Sequence, residues 1–382
     1  MTTTPIDLSP FADPQMRTEL ENIERLLSQS RRLFLIGAGC SKVAGLPLTA
    51  ELCDMVLEGL DDPTAQKLLE SIREEYDGES QSTIEDYLSD IVDLKAMADR
   101  RVLRGCTNGT VAYQGTDYSS ENLSAALCKI KSEIRKAIGT GRTPDMSLHR
   151  LFVRHVNQLL TDKPSARRRT DYFVMNYDTL VEDALGRERI SFSDGFAGGI
   201  TGWWDPARFS DQTLMARVIK LHGSIDWCLF DHEYFPSRLR PSEVEPPAEE
   251  QVMIWPAATK YRETQLDPYA QVLDLFRKAL RPGSSEDAVL MVVGYSFGDN
   301  HINLEIERGL KDSGERLSVL AMCYEESPPE ALKKWLEDPG VGSQVRAFCR
   351  KQVWHGSERV DTKTDVPWGD FAVLAKLLGG ER

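Results

Sequence analysis

Arg32-Leu33-Phe34-Leu35-Ile36-Gly37-Ala38-Gly39-Cys40-Ser41 is the stretch that decides the fold. A short apolar run, long enough for one strand, breaks off in a Gly-x-Gly turn. That pattern fits a buried strand feeding a glycine loop. Tyr172-Phe173-Val174-Met175, Ala288 to Val293 and Leu317 to Ala321 read as further central strands, and Val218-Ile219-Lys220-Leu221 adds a candidate. Helical patterns follow several of them, at Thr179 to Leu185 and His301 to Leu310. Strands alternating with helices predict an α/β fold with a doubly wound, mostly parallel sheet.

Between the first and second core strands the pattern changes. Ile84, Leu88, Ile91 and Leu94 recur at helical spacing, as do Leu123, Leu127, Ile130, Ile134 and Ile138, then Leu148, Leu151, Phe152, Val156 and Leu159. Ser82 with Glu85 fits a capping box, and Thr143-Pro144 fits a helix start. Residues 49–164 are therefore expected to be a helical insertion into one domain spanning 1–382, whose core sheet comes from about 30–48 and 165–382. The insertion is expected to make assembly contacts and to supply few catalytic groups. Arg104 to Ser120, and Asp231 to Gln251 with its four prolines, read as loops.

The charge balance, 46 basic against 60 acidic residues, gives −14, which argues against a non-specific grip on nucleic acid phosphates. The densest basic run, Arg167-Arg168-Arg169, reads as a loop entering a strand. No stretch approaches the ~20 apolar residues that span a bilayer. The amino terminus has neither a basic region nor an apolar signal core, so a cytoplasmic location is expected. The seven cysteines (40, 53, 106, 128, 228, 323 and 349) are scattered and form no Cys-x-x-Cys pair. No metal site is expected from that spacing, and no zinc.

Four polar islands stand where core strands end. Gly37-Ala38-Gly39-Cys40-Ser41 precedes Gly45-Leu46-Pro47, and its glycines admit a pyrophosphate to backbone amides or simply make a tight turn. Lys42 occupies the third glycine position of the Gly-x-Gly-x-x-Gly fingerprint, which disfavours an ordinary dinucleotide dehydrogenase. Asn176-Tyr177-Asp178 closes the second core strand, with Thr179 and Glu182 placed to cap the next helix. His222-Gly223 leaves a strand, where the imidazole serves either as general base or as a structural group. Gly294-Tyr295-Ser296-Phe297-Gly298-Asp299 is the fourth island. Carboxyl ends of parallel strands face the ligand crevice in such sheets.

Together the four islands, in this order across roughly residues 32–325, resemble the sirtuin superfamily and, more closely, its prokaryotic anti-phage defence branch. Gly37-Ala38-Gly39-Cys40-Ser41 with Gly45-Leu46-Pro47 is similar to the sirtuin glycine-alanine-glycine loop. Asn176 and Asp178 match Asn-x-Asp, His222-Gly223 matches His-Gly, and Gly294-Tyr295-Ser296 stands for Gly-Thr-Ser. The chain departs from sirtuin deacylases in having Leu48-Thr49-Ala50 for Asp-Phe-Arg and Met175 for Gln. The zinc ribbon after His-Gly is also missing, since Cys228 is the only cysteine between His222 and Cys323.

The resemblance implies a Rossmann-like, sirtuin-type fold and hydrolysis of the nicotinamide–ribose bond of NAD in antiviral defence. A non-catalytic NAD or ADP-ribose sensor and a protein deacylase are the alternatives. It implies catalytic roles for Asn176, which would order water and ribose, for Asp178 near the nicotinamide amide, and for His222 as proton acceptor. Gly37, Ala38, Gly39, Ser41 and Pro47 would hold the pyrophosphate side, and Gly294, Tyr295 and Ser296 the adenosine side. It further implies a homo-oligomer and a HerA-type hexameric ATPase as partner.

Overall fold

The computed structural model describes residues 6–76, 82–106, 109–139, 143–158, 169–230, 235–238, 251–254, 267–284 and 286–381. In chain order the strands are β1 (Arg31–Ile36), a hairpin of β2 (Val111–Tyr113) and β3 (Thr116–Tyr118), β4 (Thr170–Val174), β5 (Phe192–Ser193), β6 (Phe196–Ala197) and β7 (Trp203–Trp204). They continue with β8 (Ala216–Lys220), β9 (Gly223–Leu229), β10 (Ser237–Arg238), β11 (Gln251–Ile254), β12 (Ala288–Val293) and β13 (Leu317–Met322). The last three are β14 (Val345–Phe348), β15 (Gln352–His355) and β16 (Glu358–Asp361).

Nine of them form one sheet in the order β16-β15-β14-β13-β12-β1-β4-β8-β5. From β14 to β5 all pairings are parallel, and β15 and β16 add an antiparallel edge. The chain leaves β1 for β4 and β8 on one side, then crosses to β12 on the other. The carboxyl end of β1 is therefore the switch point where an α/β sheet opens a crevice.

The core strands are apolar through their middles because both faces are buried, with charged residues such as Arg32, Asp171, Arg217 and Lys220 toward their ends. Leu33, Leu35, Phe173, Ile219, Leu290, Val292 and Val319 enter one core, beneath helices Tyr269–Ala279, Asn300–Asp312 and Glu330–Glu337. Their neighbours Phe34, Ile36, Tyr172, Val174, Val218, Met291 and Val293 point the other way, as strand alternation requires. Helices Pro14–Gln29, Ser147–Gln158, Leu180–Arg187 and Phe371–Leu377 cover that second face. Full burial of each such side chain is worth about 1.5–3 kcal/mol.

Helices Thr49–Gly59, Pro63–Glu75, Ile84–Leu103 and Ser120–Gly139 build a third core of their own, around Leu68, Leu88, Ile91, Ile130 and Ile134. Helix Ser147–Gln158 instead buries Phe152, Val153 and Val156 on the sheet. It starts at Ser147, whose amide donates to Asp145 Oδ1, three residues beyond the expected Pro144 start. The cap before Ile84 is one residue along from the expected Ser82–Glu85 box: Thr83 pairs with Asp86, whose carboxylate accepts from the Thr83 amide at 2.8 Å. Thr179 and Glu182 form no capping box either. The Leu180 amide goes to Asp178 Oδ1, and Glu182 turns inward toward Lys220.

The stretch expected as a loop from Arg104 to Ser120 contains the β2–β3 hairpin. Gln114 and Gly115, both at positive φ, make the tight two-residue turn that such a hairpin needs. Leu159, Arg167, Arg168 and most of Asp231 to Gln251 lie outside the described residues. Within that last stretch Ser237–Arg238 is a strand, because it pairs with β7 and β9. A second sheet, β11-β9-β10-β7-β6, continues directly from His222-Gly223 and packs the rings of Phe196, Trp204 and Trp227 on one another at inclined angles.

The amino ends of β1, β4 and β8 are tied by charge. Asp171 is fully buried and takes a bidentate bond from Arg217 at 2.7 and 2.6 Å and a third from Arg31 at 2.6 Å. Burial alone pushes its carboxyl up, but the arginines outweigh it and hold the group below the usual carboxylate range. Arg169 approaches to 3.7 Å and bonds the carbonyls of Phe209 and Asp211, so the end of the basic run serves the fold. Among the described residues no helix is long and apolar enough to cross a membrane.

Candidate active site

All four polar islands meet at the carboxyl ends of β12, β1, β4 and β8. Gly37 and Gly294 close their strands by pairing across the switch point. The Gly37 amide donates to Val293 O at 2.9 Å and the Gly39 amide to Gly294 O at 3.0 Å. A Cβ on Gly37 would lie 2.3 Å from Gly294 O, and one on Gly294 only 2.6 Å from the Cys40 amide. Gly294 also sits at φ +65°, where a side chain is strained. These glycines are required first by contact between the two loops. Ala38 caps a four-residue helix, Gly39–Lys42, and Pro47 stands half-buried just past Gly45.

Asn176 connects the β1 and β4 loops. Its Nδ2 donates to Gly37 O at 3.0 Å and to Ser41 Oγ at 2.6 Å. A carbonyl only accepts, so the Gly37 contact fixes which end of the amide is nitrogen. Oδ1 is then buried with no hydrogen-bond partner among the described residues. Ser41 Oγ passes its own proton to Asp178 Oδ2 at 2.6 Å, while Asp178 Oδ1 accepts from the Leu180 amide at 3.0 Å. Both carboxylate oxygens of Asp178 are thus engaged in holding the loop and the next helix. Buried Lys220 donates to the Asp178 carbonyl and lies 3.8 Å from Glu182. Burial pushes Glu182 up to about 8 despite that lysine.

His222 is buried at the end of β8, and Gly223, at φ +85°, turns the chain into β9. Its Nε2 stands 3.1 Å from Asp299 Oδ2, and its Nδ1 3.8 Å from Glu85 Oε1. Glu85 is fixed by the Tyr177 hydroxyl, which donates at 2.6 Å. Burial and the Glu85 charge raise that phenol well above its ordinary value, so it remains a donor. Asp299 Oδ1 caps helix Asn300–Asp312 by accepting from the His301 and Ile302 amides. Tyr295 folds over the same turn: its hydroxyl lies 3.0 Å from both Asp299 O and Asn303 Oδ1, which share its single proton. Burial followed by the Asp299 charge raises this phenol too. Ser296 beside it is exposed.

The structure thus gathers Gly37, Gly39, Ser41, Asn176, Asp178, His222 and Gly294, and it adds Asp299, Glu85, Tyr177 and Lys220. Asp299 and Tyr177 lie inside the islands, at a strand end, which is the signal that marks them. Glu85 arrives from the helical insertion, where the sequence reads it only as the capping-box partner of Ser82. It is the one residue of the insertion that these contacts bring to His222 among the described residues. Cys323 and Cys349, far apart in sequence, meet at the ends of β13 and β14; the hydrogen bond between them and burial push the Cys323 thiol up. Among the described residues no group of three or more His, Cys, Asp or Glu is arranged to hold a metal ion.

No curated protein matches the sequence. Residues 170–342 match the SIR2-like domain family. The matched stretch runs from β4 through β13 and so contains Asn176, His222 and Gly294, while the β1 loop lies outside it but packs onto those residues. The match supports an NAD-linked chemistry. Residues 170–342 are thus similar to a SIR2-like domain, and they supply β4 to β13 of a mostly parallel, Rossmann-like arrangement.

Proposed function

We propose that the chain hydrolyses NAD at the nicotinamide–ribose bond. The observation that carries this is Asn176 Oδ1, a buried acceptor held by rigid partners on its nitrogen side and left without one on its oxygen side. A buried polar atom without a partner costs about 1–3 kcal/mol, so a protein keeps one where a ligand hydroxyl or water satisfies it.

NAD fits such a site as substrate. The leaving nicotinamide takes the bonding electron pair and departs neutral, so the site needs no acid for it. It must orient the ribose and the incoming water as positive charge develops at the ribose carbon. In this reading Asn176 Oδ1 orients that water or ribose hydroxyl, and His222 takes the proton that the water loses as ADP-ribose forms. Asp178 acts through Ser41, which it holds against Asn176. The backbone of Gly37, Ala38 and Gly39, with Pro47 behind, borders the pyrophosphate, and Gly294, Tyr295 and Ser296 the adenosine half.

Hydrolysis is favoured over deacylation because β9 leaves His222-Gly223 as a strand of an antiparallel sheet, where deacylases carry their zinc ribbon. The resemblance to the defence branch supports the remaining parts of the proposal: no zinc, a cytoplasmic homo-oligomer, and a HerA-type ATPase partner in anti-phage defence. The test is product analysis after incubating purified protein with NAD, alone and with that partner. Nicotinamide and ADP-ribose in equal amounts are expected from wild type and neither from Asn176→Ala. NAD left intact under both conditions would overturn the proposal.

A further inference from the structure

His222 is a candidate base with two chemically distinct nitrogens, and the surrounding carboxylates treat them differently. Asp299 Oδ2 lies within hydrogen-bonding distance of Nε2 at 3.1 Å, whereas Glu85 Oε1 stands 3.8 Å from Nδ1. Asp299 cannot swing away easily. Its other oxygen takes the His301 and Ile302 amides at 2.9 and 3.3 Å, and its own amide donates to the Tyr295 hydroxyl at 3.2 Å. The carboxylate is therefore mounted on the first turn of a thirteen-residue helix. Glu85 is mounted on the opposite side by Tyr177.

We propose that Asp299 is the positioning residue for His222: it accepts the Nε2 proton and so makes Nδ1 the basic nitrogen of the neutral ring. An ionised carboxylate accepts only, and a neutral imidazole carries one proton, so the bond to Asp299 selects the tautomer. The carboxylate also opposes rotation of the ring and stabilises the imidazolium formed when Nδ1 takes a proton. No net transfer to Asp299 is involved. The consequence for turnover rests on the NAD-hydrolase proposal, whereas the tautomer itself does not.

Asp299→Asn is the decisive variant. Asparagine caps a helix as well as aspartate does, so helix Asn300–Asp312 is kept. Its amide, however, can turn an N–H toward Nε2 and favour the opposite tautomer. Asp299→Ser also keeps a capping oxygen but is too short to reach the ring. Protein labelled with ¹⁵N-histidine, with the His222 signals assigned by their loss in His222→Gln, reports the tautomer directly.

Wild type is expected to show Nε2 protonated, Asp299→Asn a shift toward Nδ1 protonated, and Asp299→Ser a mixture. Turnover should fall about 10²–10⁴-fold in Asp299→Asn, with KM within about three-fold, as loss of an orienting acceptor implies. An Nδ1-protonated wild type, or a His222 spectrum unmoved in both variants, would overturn the positioning role whether or not NAD is cleaved. So would an Asp299→Asn enzyme that turns over like wild type. A wild type that shows the expected tautomer and response yet leaves NAD intact supports the positioning role and overturns the hydrolase proposal alone.

Discussion

Replacing Asn176 by alanine separates a site residue from a scaffold residue. The side chain donates twice, to Gly37 O and to Ser41 Oγ. Neither partner is stranded by its loss. Gly37 O still accepts from the Cys40 amide at 3.0 Å, and Ser41 Oγ still donates to Asp178 Oδ2. Two net hydrogen bonds disappear, each worth about 0.5–1.5 kcal/mol. The variant also removes the buried Oδ1, whose lack of a partner costs about 1–3 kcal/mol in the folded protein. The two effects offset, so the stability of Asn176→Ala should lie within about 1 kcal/mol of wild type. NAD cleavage should nevertheless fall by on the order of 10³-fold or more, since the group that orients water and ribose is gone. Denaturant unfolding gives the first quantity and nicotinamide release the second. Loss of more than about 3 kcal/mol would make Asn176 a structural residue. Near-wild-type turnover would remove it from the chemistry altogether.

Other perturbations have equally definite outcomes. His222→Ala should slow turnover by about 10²–10⁴-fold while calorimetry finds NAD binding little changed, because the β1 loop is untouched. Gly294→Ala should destabilise the protein by about 2–5 kcal/mol, combining a positive φ with a Cβ 2.6 Å from the Cys40 amide; a chemical melt matching wild type would refute the loop-contact argument. Glu182 binds its proton up to about pH 8 when folded but only up to about 4.5 when unfolded, so its contribution to stability is full below pH ~4.5 and is lost as pH rises through 8. Glu182→Gln should remove that loss, on the order of a few kcal/mol, and unfolding curves at pH 6 and 8.5 that keep the wild-type difference would contradict it. Untagged protein should carry no stoichiometric zinc by elemental analysis, and one zinc per chain would reopen the deacylase alternative.

The sheet was legible because β1, β4, β8, β12 and β13 are buried on both faces and therefore carry apolar runs, longest in β12 and shortest in β8, where only Val218 and Ile219 stand between Arg217 and Lys220. The antiparallel edge was not. In β16 all four residues of Glu358–Asp361 are exposed, so no apolar periodicity marks a strand held mainly by its ladder to β15. The two-residue strands of the second sheet are too short for any periodicity to register. Ser82–Glu85 and Thr83–Asp86 satisfy one capping pattern equally well in sequence. Only the fold decides between them, by sending Glu85 to Tyr177.

The same contrast explains the glycine loop, where local pattern and tertiary cause differ. In a dinucleotide-binding fingerprint the third glycine lets a long helix approach the sheet closely. Here Lys42 holds that position and is exposed, since the helix ends there and Gly45, at φ +84°, redirects the chain. No close helix–strand approach remains for a third glycine to permit. Gly37 and Gly39 face Gly294 across the switch point, so the glycine missing from the β1 loop is supplied by the end of β12. The motif is a tertiary one divided between two strands. That division is why neither half identifies the site alone: Asn176 bonds Gly37 and Ser41 of the β1 half, and it is Gly37 that packs against Gly294 of the β12 half.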